Sequence, residues 1–295
     1  MDLVVGATGL VGQQIAIGLR KQGRDVRAMV RGGRSHEKAK PLISVGIEIL
    51  DADLTKPETL GPACAGIDTI VCTATSMPHG SDDGLRRVDH DGILALIENA
   101  ERTGVHHFIY TSYSGNIRED SPLETAKRNC EKRLLSCRMR ATILRPSYFS
   151  EVWLSPALGF DPASGRTRIY GLGDAKISYI SLNDVAAFAV AAAGKTPDKS
   201  VVLEMGGPEA VSQLEAVRIF EQILRKRIEV DRVPVAALAE QHRSSDPLQK
   251  TFAALMLAYA KGDTIPDSLE TAHKYNISLH SVSDYAARMS KAATA

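Results

Sequence analysis

Three glycines recur at every third position behind the first apolar run: Gly6, Gly9 and Gly12 in MDLVVGATGLVGQQI. A strand, a glycine-rich turn and a helix start together make an anion site, because free N–H groups and the positive helix end converge there. In such a site Gly6 permits the tight turn, Gly9 lets a pyrophosphate come close, and Gly12 lets the helix pack against the strand. Thr8, Leu10 and Val11 share that loop and helix start and join the expected contact set. The spacing is GxxGxxG, not the GxGxxG of the common dinucleotide fingerprint. A turn with a packing glycine is the plain alternative. The place of the glycines, behind the first strand of an alternating chain, favours a dinucleotide.

Later residues refine that chemistry. After the second apolar run, VRAMVRGGRS carries Arg31 and Arg34, and no acid stands between Asp25 and Glu37. An NAD site usually places Asp or Glu here for the ribose 2′-hydroxyl, whereas an Arg meets the 2′-phosphate of NADP with paired hydrogen bonds. The sequence therefore favours NADP(H) over NAD(H), the alternative being two solvated loop arginines. Asp53 and Leu54, in ILDADLTKP, would offer a carboxylate to an adenine amino group and an apolar face to the ring. They read equally well as a turn or helix cap before Pro57. Thr73, Ala74 and Thr75 follow the fourth apolar run, where small residues would let a ribose lie close.

The elements needed to position these residues are an alternation of strands and helices. Strands are expected at 3–5, 25–30, 46–50, 68–73, 107–112 and 141–145, with helices at 11–22, 84–103 and 125–137. Continuous Val/Ile/Leu strands separated by helices imply a Rossmann-type, doubly wound parallel sheet of the α/β class. From about residue 150 the rhythm changes. PALGFDPASGRTRIYGLGD reads as loops, followed by a helix at 183–193, a strand at 201–205, a helix at 212–227, a strand-like IEVDRVP and a helix at 247–261. The expected division is a dinucleotide-binding domain over 1–150 and a smaller C-terminal α/β substrate region over 151–295, with segments free to return to the sheet.

Composition narrows the function classes. The chain has 295 residues, 36 Lys+Arg against 35 Asp+Glu, and 44% hydrophobic residues. That balance gives no electrostatic case for nucleic acid as a partner, and no apolar run reaches the about 18 residues that cross a bilayer. With no signal-peptide pattern, a cytoplasmic protein is expected, with no membrane partner. Cys64, Cys72, Cys130 and Cys137 lack metal-like or paired spacing and read as reduced, mostly buried thiols. The histidines, His79 among them, show no HxH or HxxxH spacing, so no metal is expected.

Taken together, GATGLVG at 6–12, AMVR at 28–31, DADL at 51–54, GVHHFIYTS at 104–112, the Lys127/Glu131/Leu134 pattern, ATILRPSYF at 141–149 and GGPEAVSQLEA at 206–216 resemble the NmrA-like group of the short-chain dehydrogenase/reductases. The resemblance implies an NADPH-dependent reductase acting on a small aromatic, quinone-like or enone substrate. The group also contains regulators that bind NADP(H) without turnover, which would bring a protein partner. An epimerase or dehydratase is a third, lesser reading. A monomer or homodimer is expected.

In the wider superfamily a tyrosine donates the proton and a lysine four residues on lowers its pKa and holds the nicotinamide ribose. Lys127 matches that lysine, but Leu123 stands where the tyrosine belongs. The serine after the fifth strand is open among the residues of YTSYSG, with Ser112 placed in the cofactor set. Tyr113 or Tyr148 would then supply a phenol from elsewhere. The turn Arg145-Pro146-Ser147-Tyr148-Phe149 is expected beside the nicotinamide, with Pro146 touching cofactor. Tyr113, Tyr148, Phe149 and Trp153 would line the substrate pocket; the other reading of the last three is core packing.

Overall fold

The computed structural model describes residues 1–77 and 83–293, and His79 lies outside the described residues. Two compact units emerge. The first comprises Met1–Ser112, Pro122–Arg145 and Val185–Leu203. The second comprises Tyr113–Ser121, Pro146–Asp184 and Glu204–Ala295. Residues 1–150 and 151–295 thus each contribute to both.

The first unit is built on a seven-stranded parallel sheet. Its elements are β1 (Asp2–Val5), α1 (Leu10–Lys21), β2 (Val26–Val30), α2 (Lys40–Ser44), β3 (Glu48–Asp51), α3 (Leu60–Cys64), β4 (Thr69–Cys72), α4 (Ile93–Thr103), β5 (His107–Thr111), α5 (Pro122–Leu135) and β6 (Arg140–Pro146). The spatial order is β6-β5-β4-β1-β2-β3, with the strand Val201–Met205 outside β6. β1, β4 and β5 are buried at every position, as strands covered on both faces must be. Helices pack Leu60, Ile93, Leu96 and Ile97 against Leu3, Ile70 and Phe108, all fully buried. Each such side chain contributes roughly 1.5–3 kcal/mol. The strand order reverses between β1 and its neighbours β2 and β4, which puts a crevice at the carboxyl ends of β1 and β4.

One helical expectation is corrected. The span 84–103 is not one α-helix: Leu85–Gly92 is a π-helix that continues into α4. The wider turn lets the buried Asp89 accept hydrogen bonds from Ser76 N and Oγ at 2.8 and 2.6 Å. Gly92 meanwhile lies so close to Leu54 that a Cβ on it would meet that carbonyl oxygen at 2.7 Å.

The second unit corrects the reading of residues 156–174 as loops. Phe160–Asp161 and Arg166–Tyr170 are strands, and Arg166–Tyr170 pairs in parallel with Glu229–Val233. Along Arg166–Tyr170 the arginines face water while Thr167 and Ile169 face inward, the alternation of a half-buried strand. Helices Val235–His242, Ser268–Lys274 and Val282–Ala293 also extend the expected set. Helix Gln213–Leu224 opens with a capping box between Ser212 and Glu215. Among the described residues no helix is long and apolar enough to cross a membrane.

Candidate cofactor site

β1 delivers the chain to Gly6 and α1 starts at Leu10, leaving a short connection to make the turn. Gly9 N donates to Gly6 O at 2.9 Å, and Gln13 N donates to Gly9 O at 3.0 Å as the helix begins. Gly6 has φ +87°, a conformation that side chains resist. Gly12 is required by contact: a Cβ there would lie 2.2 Å from Gly6 O and 2.8 Å from Thr73 Oγ1. Thr73 N donates to Val5 O at 2.9 Å, so the end of β4 is pinned beside the loop, and Ala74 N closes over Gly6.

The N-cap Gly9 has no side chain to offer the helix, and the first turn holds no acid. The N–H groups of Leu10, Val11 and Gly12 therefore point out of the helix start without an intrahelical acceptor. Thr8 is half-buried and Leu10 is 69% exposed over the same loop. This cradle suits a phosphate: small, dense in donors and free of competing negative charge.

Arg31 and Arg34 are exposed where the chain leaves β2, and neither forms an ion pair among the described residues. Asp51, at the end of β3, accepts from Gly32 N through Oδ1 at 2.9 Å. Asp53 closes its own turn, its Oδ1 accepting from Thr55 N and Oγ1 at 2.9 and 3.0 Å. Leu54 is 5% exposed and packs in the core of the first unit. Thr75 is exposed, and its Oγ1 accepts from Met77 N.

The expected catalytic residues are distributed differently. Lys127 lies on α5, buried, with its ammonium donating to Thr111 O at 3.0 Å and standing 4.9 Å from the centre of the Tyr110 ring. Leu123, one turn earlier, is buried. Also on α5, the buried Glu131 takes a forked pair from Arg145 and a bond from Arg128. Burial opposes ionisation of Glu131, but Arg145, the Ser112 hydroxyl and Arg128 outweigh it and hold the carboxyl below its usual range. Ser112 N donates to Leu144 O at 2.8 Å, placing this buried serine at the carboxyl end of β5.

In the second unit, Pro146 O accepts from Ser114 N. Ser114 and Asn116 side chains donate to Asp263 Oδ1, each at 2.8 Å. Tyr148, expected as an alternative proton donor, is 3% exposed, and its hydroxyl donates to Leu255 O at 3.2 Å. Burial, then the nearby Asp263, pushes its phenol far above the ordinary value. Tyr148 packs edge-on to Trp153 and Tyr259, at 4.6 and 4.9 Å between ring centres. Tyr113, Phe149 and Trp153 are half-buried.

Asp51, which holds Gly32 beside Arg31, is not among the residues expected from the sequence; its one signal there is its place in DADL, two positions before Asp53.

Residues 6–196 match the family model described as NAD(P)H-binding. The photosystem II assembly factor Ycf39 of Trieres chinensis is 30% identical over 242 residues, covering 80% of this chain and 73% of that one. An NAD(P)H azoreductase of Xenophilus azovorans is 29% identical over 218 residues, covering 73% and 71%. The Escherichia coli NADPH-dependent quinone oxidoreductase solved with NADPH shares the fold, with a TM-score of 0.80 at 21% identity over 98% of this chain and 99% of that one.

Proposed function

We propose that this chain, which belongs to the NmrA-like NAD(P)H-binding family, is an NADPH-dependent reductase of small aromatic, quinone-like or enone acceptors. One observation carries the reading: an uncapped helix start on a glycine cradle, with an arginine at the end of the adjacent strand that pairs with no acid among the described residues. The N–H groups of Leu10, Val11 and Gly12 would hold the pyrophosphate, and Arg31 the 2′-phosphate. Lys127 would hold the nicotinamide ribose. The cofactor supplies a hydride when bound; the chain supplies position and electrostatics.

With Leu123 in place of a phenol, the favoured acceptors spread the arriving negative charge or take their proton from water. Ordinary ketones, which need a local acid, are disfavoured.

Leu123 and the likeness to Ycf39 favour a second reading, a non-catalytic regulator that binds NADP(H) and a protein partner. NADPH oxidation against quinones, enones and cationic dyes, with wild type and Lys127→Ala, separates the two. The reductase reading requires turnover on at least one acceptor and its loss in the variant. Tight NADP(H) binding with no turnover on any acceptor leaves the regulator.

A further inference from the structure

We infer that Asp51 is a specificity-determining positioning residue, fixing the turn that carries Arg31 and thereby the preference for the 2′-phosphorylated dinucleotide. The inference rests on the assignment of Arg31 proposed above. β2 and β3 pair in parallel with Val30 opposite Asp51, so β3 ends where the chain leaves β2. Two residues later Gly32 N reaches across to Asp51 Oδ1 at 2.9 Å. The chain then passes close to the same side chain, since a Cβ on Gly33 would lie 3.2 Å from Asp51 Cβ. Arg31 is thus held between two fixed points, the β2 ladder before it and the Asp51 bond after it.

That anchorage matters because a mobile guanidinium must give up backbone and side-chain freedom when it binds phosphate. An anchored backbone has already given up part of it. The carboxylate also has an opposing effect. Asp51 makes no ion pair among the described residues, so its charge repels an incoming phosphate dianion across a solvent-screened gap. Its bond and its charge act in opposite directions, and substitution can separate them. Asp51→Asn keeps an acceptor oxygen and removes the charge; Asp51→Ala removes both.

The test is direct titration of NADPH and NADH into each variant, with Arg31→Ala alongside and a thermal melt of every protein. Asp51→Ala should raise the Kd for NADPH about fivefold, because the freed Gly32 backbone must then be ordered on binding and the relief of repulsion offsets only part of that cost. The Kd for NADH should change by less than about threefold, since the pyrophosphate cradle is untouched. Asp51→Asn should bind NADPH as tightly as wild type, or more tightly. Should Asp51→Ala fail to fold, Asp51→Asn decides: retained NADPH preference supports the anchor and its loss overturns it. The anchor is also overturned if Asp51→Ala shifts both cofactors equally or neither, or if Asp51→Asn loses NADPH as Asp51→Ala does. Equal loss of both cofactors in Arg31→Ala would instead sink the 2′-phosphate assignment itself.

Discussion

Gly12→Ala is the sharpest test of the cradle. The new Cβ would sit 2.2 Å from Gly6 O and 2.7 Å from Gly6 C, both backbone atoms of a turn already held by Gly9 N. No side chain can swing aside to absorb this. A Cβ on Gly9 would stand 3.2 Å from the same oxygen, so α1 must withdraw by about 1 Å to reach a comparable contact, a displacement that costs site function on the order of a hundredfold. In binding terms, weakening two charge-assisted N–H bonds to phosphate removes about 3 kcal/mol, again near a hundredfold in Kd. Overpacking should also destabilise the fold by about 1–3 kcal/mol, partly offset by the better helix propensity of alanine. NADPH titration by calorimetry, with a thermal melt, reads both effects. Gly18→Ala, on the same helix, is the control: its Cβ meets only the Val190 side chain, at 2.9 Å, which can move. NADPH binding by Gly12→Ala within threefold of wild type would refute the steric argument.

Three further outcomes are expected. His107 is fully buried, its Nε2 paired with Thr142 Oγ1, and burial pushes its pKa from 6.5 down to about 4. The unfolded chain takes up that proton near 6.5 and the folded chain resists it until about 4, so stability is complete above this window and falls by about 3 kcal/mol across it on acidification. Denaturant melts at several pH values should show this slope flattened in His107→Leu/Thr142→Val, and an unchanged slope would count against it. Burial raises Cys64 and Cys72 to about 11 and Cys130 to about 12; it also raises Cys137, but that thiol alone of the four is half-buried rather than buried and should label first at mild alkaline pH; labelling of two or more thiols at the same rate contradicts it. Glu131→Ala removes the buried carboxylate onto which Arg145 forks, while Arg128 keeps its pair with Glu124, and should cost about 3 kcal/mol in chemical denaturation, with Glu131→Gln recovering part of the loss; an unchanged midpoint would show the pair to be dispensable.

What could be read in advance was local. β1, β4 and β5 announce themselves because burial on both faces demands unbroken apolar runs. The cradle does so because its steric demand falls on glycines within one turn. The helix at Pro247–Lys261 matches its expected span for the same reason: period and cap lie inside the segment. The failures depend on distant partners. The π-helix exists beside Leu54 and Ser76, which its own periodicity does not record. Arg166–Tyr170 is a strand because Glu229–Val233 lies beside it, whereas its flanking glycines and prolines suggest loop. Asp51 is tied to Gly32 by the register between β2 and β3, and Tyr148 is committed to Leu255 by a fold the aromatic turn itself does not encode.

The strand Val201–Met205 has a consequence for how this molecule is made. It covers the outer edge of β6, yet β6 ends at Pro146, well over fifty residues earlier in the chain. At about 5–20 residues per second of synthesis, β6 waits on the ribosome for several seconds with the backbone donors and acceptors of its outer edge unpaired. During that interval the nascent chain is open to pairing with any extended polypeptide nearby. A product cut short at residue 195 would keep the glycine cradle and Arg31 while leaving that edge bare. Such a fragment would be defined by its tendency to aggregate, and shortening the chain is a poor route to an isolated cofactor-binding module.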